Sequence, residues 1–188
     1  MRRRIIVGAM GVLAASALVV GPLASGAGAQ SQPPKAANCA GKTKKKAVKQ
    51  IKEAYAHFLD GAKYPDPVND KQPYIEFLSG SQVSPALKAQ FEASAEKNAA
   101  AAATTSVVVH SVKCTGKKSA DVDFDLVING QETPGIAPPG DAKVVDGVWK
   151  VTGETLCNMQ AAGDPTILES GPCAEILLEG EPSDLTSS

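Results

Sequence analysis

The chain has 188 residues with 19 basic and 20 acidic side chains, so it lacks the basic surplus that marks a nucleic-acid binder. Its aromatic content is 4% and alanine fills much of the apolar quota, which suits a modestly packed domain better than a large-pocket enzyme. The only arginines are Arg2, Arg3 and Arg4, so everything after them relies on lysine and is acidic overall.

Those arginines precede an apolar run from Ile5 to Val20 and a small-residue stretch ending Ala27-Gly28-Ala29. This order predicts a secretory signal over residues 1–29 with an A-x-A cleavage site, and a mature chain starting near Gln30. An uncleaved anchor is the alternative, but the run is short for a span and is broken by Gly8 and Gly11. No cysteine follows directly, which argues against a lipid anchor, and no second long apolar run occurs. The expectation is a soluble protein, secreted to the medium or associated with the cell envelope.

Residues 30–42 are polar and proline-bearing and read as a linker arm. Over residues 43–178 the pattern becomes that of one domain. Ile51, Ala54, Tyr55, Phe58, Leu59 and Ala62 recur at helical spacing, predicting a helix over about 44–60 that Gly61 ends. Lysines 44, 45, 46, 49 and 52 are read as its solvated side rather than a membrane or polyanion patch, and His57, off the apolar stripe, is read as solvated too. A turn-rich loop leads to "YIEFLSG", expected to be a short helix with Tyr74, Phe77 and Leu78 inward. Ser84-Pro85 starts a helix to about Ala102, with Leu87, Phe91 and Ala95 on one stripe.

From Thr104 the period becomes two. "TTSVVVHSVKC" and "ADVDFDLVI" predict strands, the second with Val122, Phe124, Leu126 and Ile128 on one face. After the crossing "NGQETPGIAPPG", "DAKVV" and "VWKVTGETLC" are joined by Asp146-Gly147, a type I′ hairpin signal. Trp149 and Val151 should point inward, Lys150 and Thr152 outward. "NMQAAG" reads as a helical turn, and residues 179–188 as an acidic, unfolded tail. Helices followed by an antiparallel meander make an α+β domain, with N-terminal helices packed on a curved four-stranded antiparallel sheet.

Cys39, Cys114, Cys157 and Cys173 all fall in the exported part, and no C-x-x-C pair is present, so two disulfides are expected rather than a metal site. Spacing leaves three pairings open. The preferred one is Cys157-Cys173 with Cys39-Cys114, the first closing a short loop and the second tying the arm to the sheet.

The segments "AYAHFLDG", "SVVVHSV", "ADVDFDLVI" and above all "DGVWKVTGETLCNMQAAG" resemble the mycobacterial low-molecular-weight secreted antigen family, over roughly residues 43–163. The turn-Trp-Lys-Val hairpin at 146–151 is the most specific part. The resemblance implies a cystatin-like or nuclear-transport-factor-like cone, export from an actinobacterial cell, and no established enzymatic activity. The pair at 157 and 173 fits a common variation on the closing strand, whereas the pair at 39 and 114 and the acidic tail are additions to the family pattern.

Candidate chemistry is sparse. Counted from Asp121, "DVDFDLVINGQE" matches several ligand positions of an EF-hand loop, including Glu132 at the end. It lacks the central glycine, which Leu126 replaces, and it alternates as a strand, so no calcium site is expected. The three aspartates are read instead as a solvent-facing row opposite Lys113, Lys143 or Lys150. His110, taken to be in phase with Val108, Val112 and Cys114, is the candidate for a general base in the concavity. Nucleophile, phosphate-loop and dinucleotide motifs are absent, as is the glutamine-valine-glycine signature of cystatin inhibitors.

Three functions follow. The first is a secreted, non-catalytic antigen-like module acting through its surface on a protein or envelope partner, without cofactor or metal. The second is a carrier of a small apolar ligand in the concavity, lined by Tyr55, Phe58, Phe91, Phe124 and Trp149. The third is an isomerase- or dehydratase-like enzyme using His110.

Overall fold

The computed structural model describes residues 32–79 and 82–179. The expected signal segment and the tail beyond residue 179 lie outside the described residues. Among the described residues no helix is long and apolar enough to cross a membrane.

Helix α1 (Lys44–Leu59) buries Ala47, Ile51, Ala54, Tyr55 and Phe58, the face that its three- and four-residue spacing brings together. All five lysines of its start and solvent side are exposed. Gly61 follows, where a β-carbon would collide with the backbone of Ala102, so glycine here also permits close chain approach. His57 is not simply solvated. Its ring stacks between Tyr64 and Tyr74 at 3.6 and 3.9 Å, and Nδ1–H donates to the Asp70 carbonyl at 2.9 Å.

The short helix expected at "YIEFLSG" does not form. A 3₁₀ turn over Gln72–Tyr74 leads into extended chain, and the Glu76 N–H donates to the Val151 carbonyl at 2.8 Å. Strand β1 (Leu78–Ser79) then pairs antiparallel with β2 (Gln82–Val83). An open sheet edge offering backbone partners competes successfully with so short a helix, which would leave most of its own end groups unpaired. Helix α2 (Pro85–Lys97) starts as expected, with the Ser84 hydroxyl accepting from the Leu87 N–H at 3.2 Å. It stops at Asn98, and α3 (Ala99–Ala102) is a separate turn.

The remaining elements are β3 (Thr105–Cys114), β4 (Ser119–Ile128), β5 (Gln131–Thr133), β6 (Gly140–Val145), β7 (Val148–Val151), α4 (Gly153–Gly163) and α5 (Pro172–Glu179). The antiparallel sheet runs β3-β4-β6-β7, and β5 pairs with the far end of β4, beyond β6. The result is a curled four-strand half-barrel with helices against it, consistent with a cystatin-like or nuclear-transport-factor-like cone. The β4–β5 and β6–β7 turns have positive φ at both central residues, Asn129 53° and Gly130 78°, Asp146 52° and Gly147 76°, as type I′ turns require.

Alternation holds on β4, where Val122, Phe124 and Leu126 are buried, and on β7, where Trp149 and Val151 are. The strand expected to run on to Cys157 ends at Val151 instead. Thr152 is 2% exposed rather than outward, and its hydroxyl accepts from the Thr155 N–H at 3.2 Å to cap α4. Cys157 therefore sits on a helix, and its bond to Cys173 joins α4 to α5 with Cα atoms 5.4 Å apart. The bond from Cys39 to Cys114 ties the arm to the end of β3, with Cα atoms 5.6 Å apart. The arm is also docked by hydrogen bonds. The Trp149 indole donates to the Ala37 carbonyl at 2.9 Å, and Gln50 accepts from the Ala37 N–H at 2.7 Å while donating to the Lys35 carbonyl at 2.9 Å.

Tyr55 is the deepest polar group of the helix–sheet interface. Its ring tilts against Phe124 with centroids 5.1 Å apart, and its hydroxyl donates to the Asp141 carbonyl at 3.1 Å. Burial pushes the phenol pKa up well beyond the ordinary tyrosine range. Beside it, a β-carbon at Gly140 would collide with the Tyr55 hydroxyl, the Thr155 methyl and the Phe124 ring.

Two denaturation experiments test this packing. Trp149→Ala should cost about 3 to 5 kcal/mol by opening a cavity, and Gly140→Ala about 1 to 3 kcal/mol by overpacking; a neutral Gly140→Ala would mean the interface is looser than described. The second concerns pH. Burial lowers the His57 pKa below its ordinary 6.5, so the unfolded chain takes up this proton first as pH falls. The contribution of neutral His57 is full above 6.5 and is lost as pH falls below that value and through the folded-state one. Between about pH 7.5 and about pH 5.5 the stability of His57→Gln should change less than that of the parent.

Candidate functional site

Strand β3 carries a bulge. Val109 pairs with Phe124 and Ser111 with Asp123, leaving His110 as the extra residue between them. Before the bulge Val107 and Val109 face the core, and after it Val112 and Cys114 do. His110 and Ser111 are both exposed. The expected inward phase of His110 is therefore wrong. An inserted residue shifts the alternation, so His110 lies on the outer face with Val108 and not in the concavity with Val112 and Cys114.

On that outer face His110 meets two carboxylates. Its Nε2 is 2.9 Å from Asp125 Oδ2 and 3.3 Å from Glu132 Oε1. Each residue comes from a different strand. Asp125 lies on the outward phase of β4, between buried Phe124 and Leu126, and Glu132 is brought alongside by the Asn129-Gly130 turn and the pairing of Val127 with Glu132. Asp125 Oδ1 also accepts from the Gly135 N–H at 3.3 Å. The hydrogen bond that His110 donates to Asp125 chiefly, and the negative charges of Asp125, Glu132 and Asp123, hold the His110 pKa above the ordinary histidine value. The same hydrogen bond holds the Asp125 carboxyl below its usual range.

The segment 121–132 is thus a β-hairpin and not a calcium-wrapping loop, although two of its acidic positions converge with a histidine. The expected row of aspartates opposite lysines is met at Asp121, whose carboxylate is 3.8 Å from Lys113 Nζ. Asp123 pairs across from Ser111, and Lys143 and Lys150 face each other on β6 and β7. Sequence reasoning singled out His110, Asp125 and Glu132 separately. The signal that joins them is the Asn129-Gly130 turn, which returns Glu132 to the face of Asp125.

Tyr55, Phe58, Phe91, Phe124 and Trp149 are all buried in one cluster, at 6% exposure or less, and fill the space between helices and sheet. An open groove of about 350 Å³ lies elsewhere, beside β7, with Val68, Ile75, Phe77, Leu78 and Val83 in its walls and Lys88, Glu76, Asp146 and Lys150 among its polar groups. None of the five aromatics lines it. Val83 is 67% and Val68 48% exposed.

The family model of the low molecular weight antigen MTB12 C-terminal domain matches residues 44–166. The chain belongs to that family. Comparison with curated proteins and with solved structures gives no significant match. The MTB12 match begins at the first residue of α1 and ends just past α4, so it includes His110, Asp125 and Glu132 but excludes Cys39 and Cys173. Each disulfide therefore joins a cysteine inside the matched region to one outside it.

The cluster geometry has a direct readout. In a proton NMR titration the His110 ring should show a pKa above 6.5, and Asp125→Asn should bring the midpoint back towards that value.

Proposed function

We propose that this MTB12-family protein acts outside the cell as a non-catalytic module that binds an apolar segment of another protein in the groove beside β7. The observation that carries the reading is the distribution of apolar surface. Val83 and Val68 stand out at an open groove, while the aromatics that could have lined an internal cavity are packed against one another. Exposed aliphatic side chains in a concave wall, with lysines and carboxylates close by, match the apolar centre and polar rim of a protein contact. Two disulfides, which persist in oxidising compartments, support action after export.

The carrier alternative requires Tyr55, Phe124 and Trp149 to separate, breaking the hydrogen bonds to the Asp141 and Ala37 carbonyls. Proton-transfer chemistry at His110 would take place on an exposed sheet face, without walls to exclude water. Both are less economical than contact through the groove.

Native mass spectrometry of protein purified from its own culture medium, after dialysis against a metal chelator, should give the polypeptide mass without an organic ligand; an excess that survives the chelator and disappears on denaturation would replace this reading with the carrier. Val83→Asp should retain the parental melting temperature and lose about tenfold in retention on the cell-envelope fraction, as loss of one central apolar contact predicts. Equal retention of the variant would remove the groove as the binding surface.

A further inference from the structure

We propose that His110, Asp125 and Glu132 form a binding site for one first-row divalent cation of the Zn²⁺ class. Their three ligand atoms lie within 4.8 Å of one another, with Nε2 at 2.9 and 3.3 Å from the two carboxylate oxygens. Donors bound to Zn²⁺ sit about 2.0 to 2.2 Å from the ion, which places neighbouring donors of a tetrahedron about 3.3 to 3.6 Å apart. The trio is therefore close to the spacing that a shared ion requires, and small side-chain adjustments would open it.

The donor set decides the class of ion. An imidazole nitrogen with two carboxylates suits Zn²⁺ and its first-row neighbours, whereas Ca²⁺ and Mg²⁺ favour all-oxygen sets of six or more. Charge points the same way. Two carboxylates facing one imidazole place two negative charges at a single point, with Asp123 adding to the field. A proton on His110 offsets one of them, and a divalent ion would offset both. Lys113, on the same strand as His110, is directed to Asp121 and not to this cluster.

Support around the ligands also fits. Asp125 is oriented from behind by the Gly135 N–H, a contact of the kind that holds a metal-bound carboxylate in place. His110 is brought to the outer face at the bulge of β3, and the remaining positions of the ion face solvent, open to water or to a donor from another molecule. The site is separate from the groove beside β7, so its fate does not depend on the proposed protein contact.

The test is Zn²⁺ titration of the exported chain purified without a polyhistidine tag, followed by calorimetry and by the NMR signals of both histidines. Saturable binding of one ion per chain is expected, with the His110 ring signals moving and those of His57 unchanged. His110→Ala, Asp125→Asn and Glu132→Gln should each weaken binding at least about tenfold while melting like the parent. Asp121→Asn should bind normally, and an equal concentration of Ca²⁺ should not displace Zn²⁺. Absence of saturable binding, or binding that survives all three ligand substitutions, would overturn the site; displacement by Ca²⁺ would overturn the assigned class.

Discussion

The fold turns on where one phenol hydroxyl goes. Tyr55 projects from α1 into the apolar face of the sheet, and a hydroxyl buried there without a partner would cost about 1 to 3 kcal/mol. It is satisfied by the Asp141 carbonyl, at the start of β6, and this is reachable because Gly140 has no side chain. The same corner holds α4. Thr155 Oγ1 accepts from the Asp141 N–H at 2.7 Å and lies 3.0 Å from the Thr152 hydroxyl that caps the helix. One polar knot thus sets the position of α1, the first residues of β6 and the start of α4, while Phe124 packs against the Tyr55 ring.

This knot explains which parts of the structure were legible in the sequence. The stripe of α1, the alternation of β4 and the Asp146-Gly147 turn are local patterns whose period or turn chemistry needs no distant partner. Three features were not legible, and each depends on something remote in sequence. The chain at 75–77 is extended because Val151 offers it a backbone acceptor. The closing strand stops early because Thr152 finds Thr155 and the Asp141 corner instead of solvent. His110 changes face because a residue is inserted in the pairing of β3 with β4, which no side-chain pattern announces.

The disulfides work at the edges of this arrangement and not at its centre. Cys39 fastens the arm to the end of β3, and the Ala37 carbonyl of the same arm satisfies the Trp149 indole on β7, so covalent and hydrogen-bonded attachments hold one arm against both ends of the sheet order. Trp149 would otherwise bury an unpaired N–H. Cys173 similarly fastens α5 to α4. In a domain with few aromatic residues, such ties limit the conformations open to the unfolded chain and supplement a modest core. The apolar interior is then committed to stability, and the groups able to recognise something else stand on the outside.

The outer-face cluster nevertheless inherits its geometry from the core. Phe124 and Asp125 are consecutive on β4, so the contact that seats Phe124 against Tyr55 also aims Asp125 at His110. A slip of one residue would expose the phenylalanine and bury the carboxylate, a double penalty that locks the register. Glu132 has no such anchor of its own on the short β5, but the two-residue turn before it and its pairing opposite Val127 leave it little freedom of position. The face that carries the chemistry is thus held by the face that carries the packing. Changes in the core can therefore alter the spacing of His110, Asp125 and Glu132 without touching any of them.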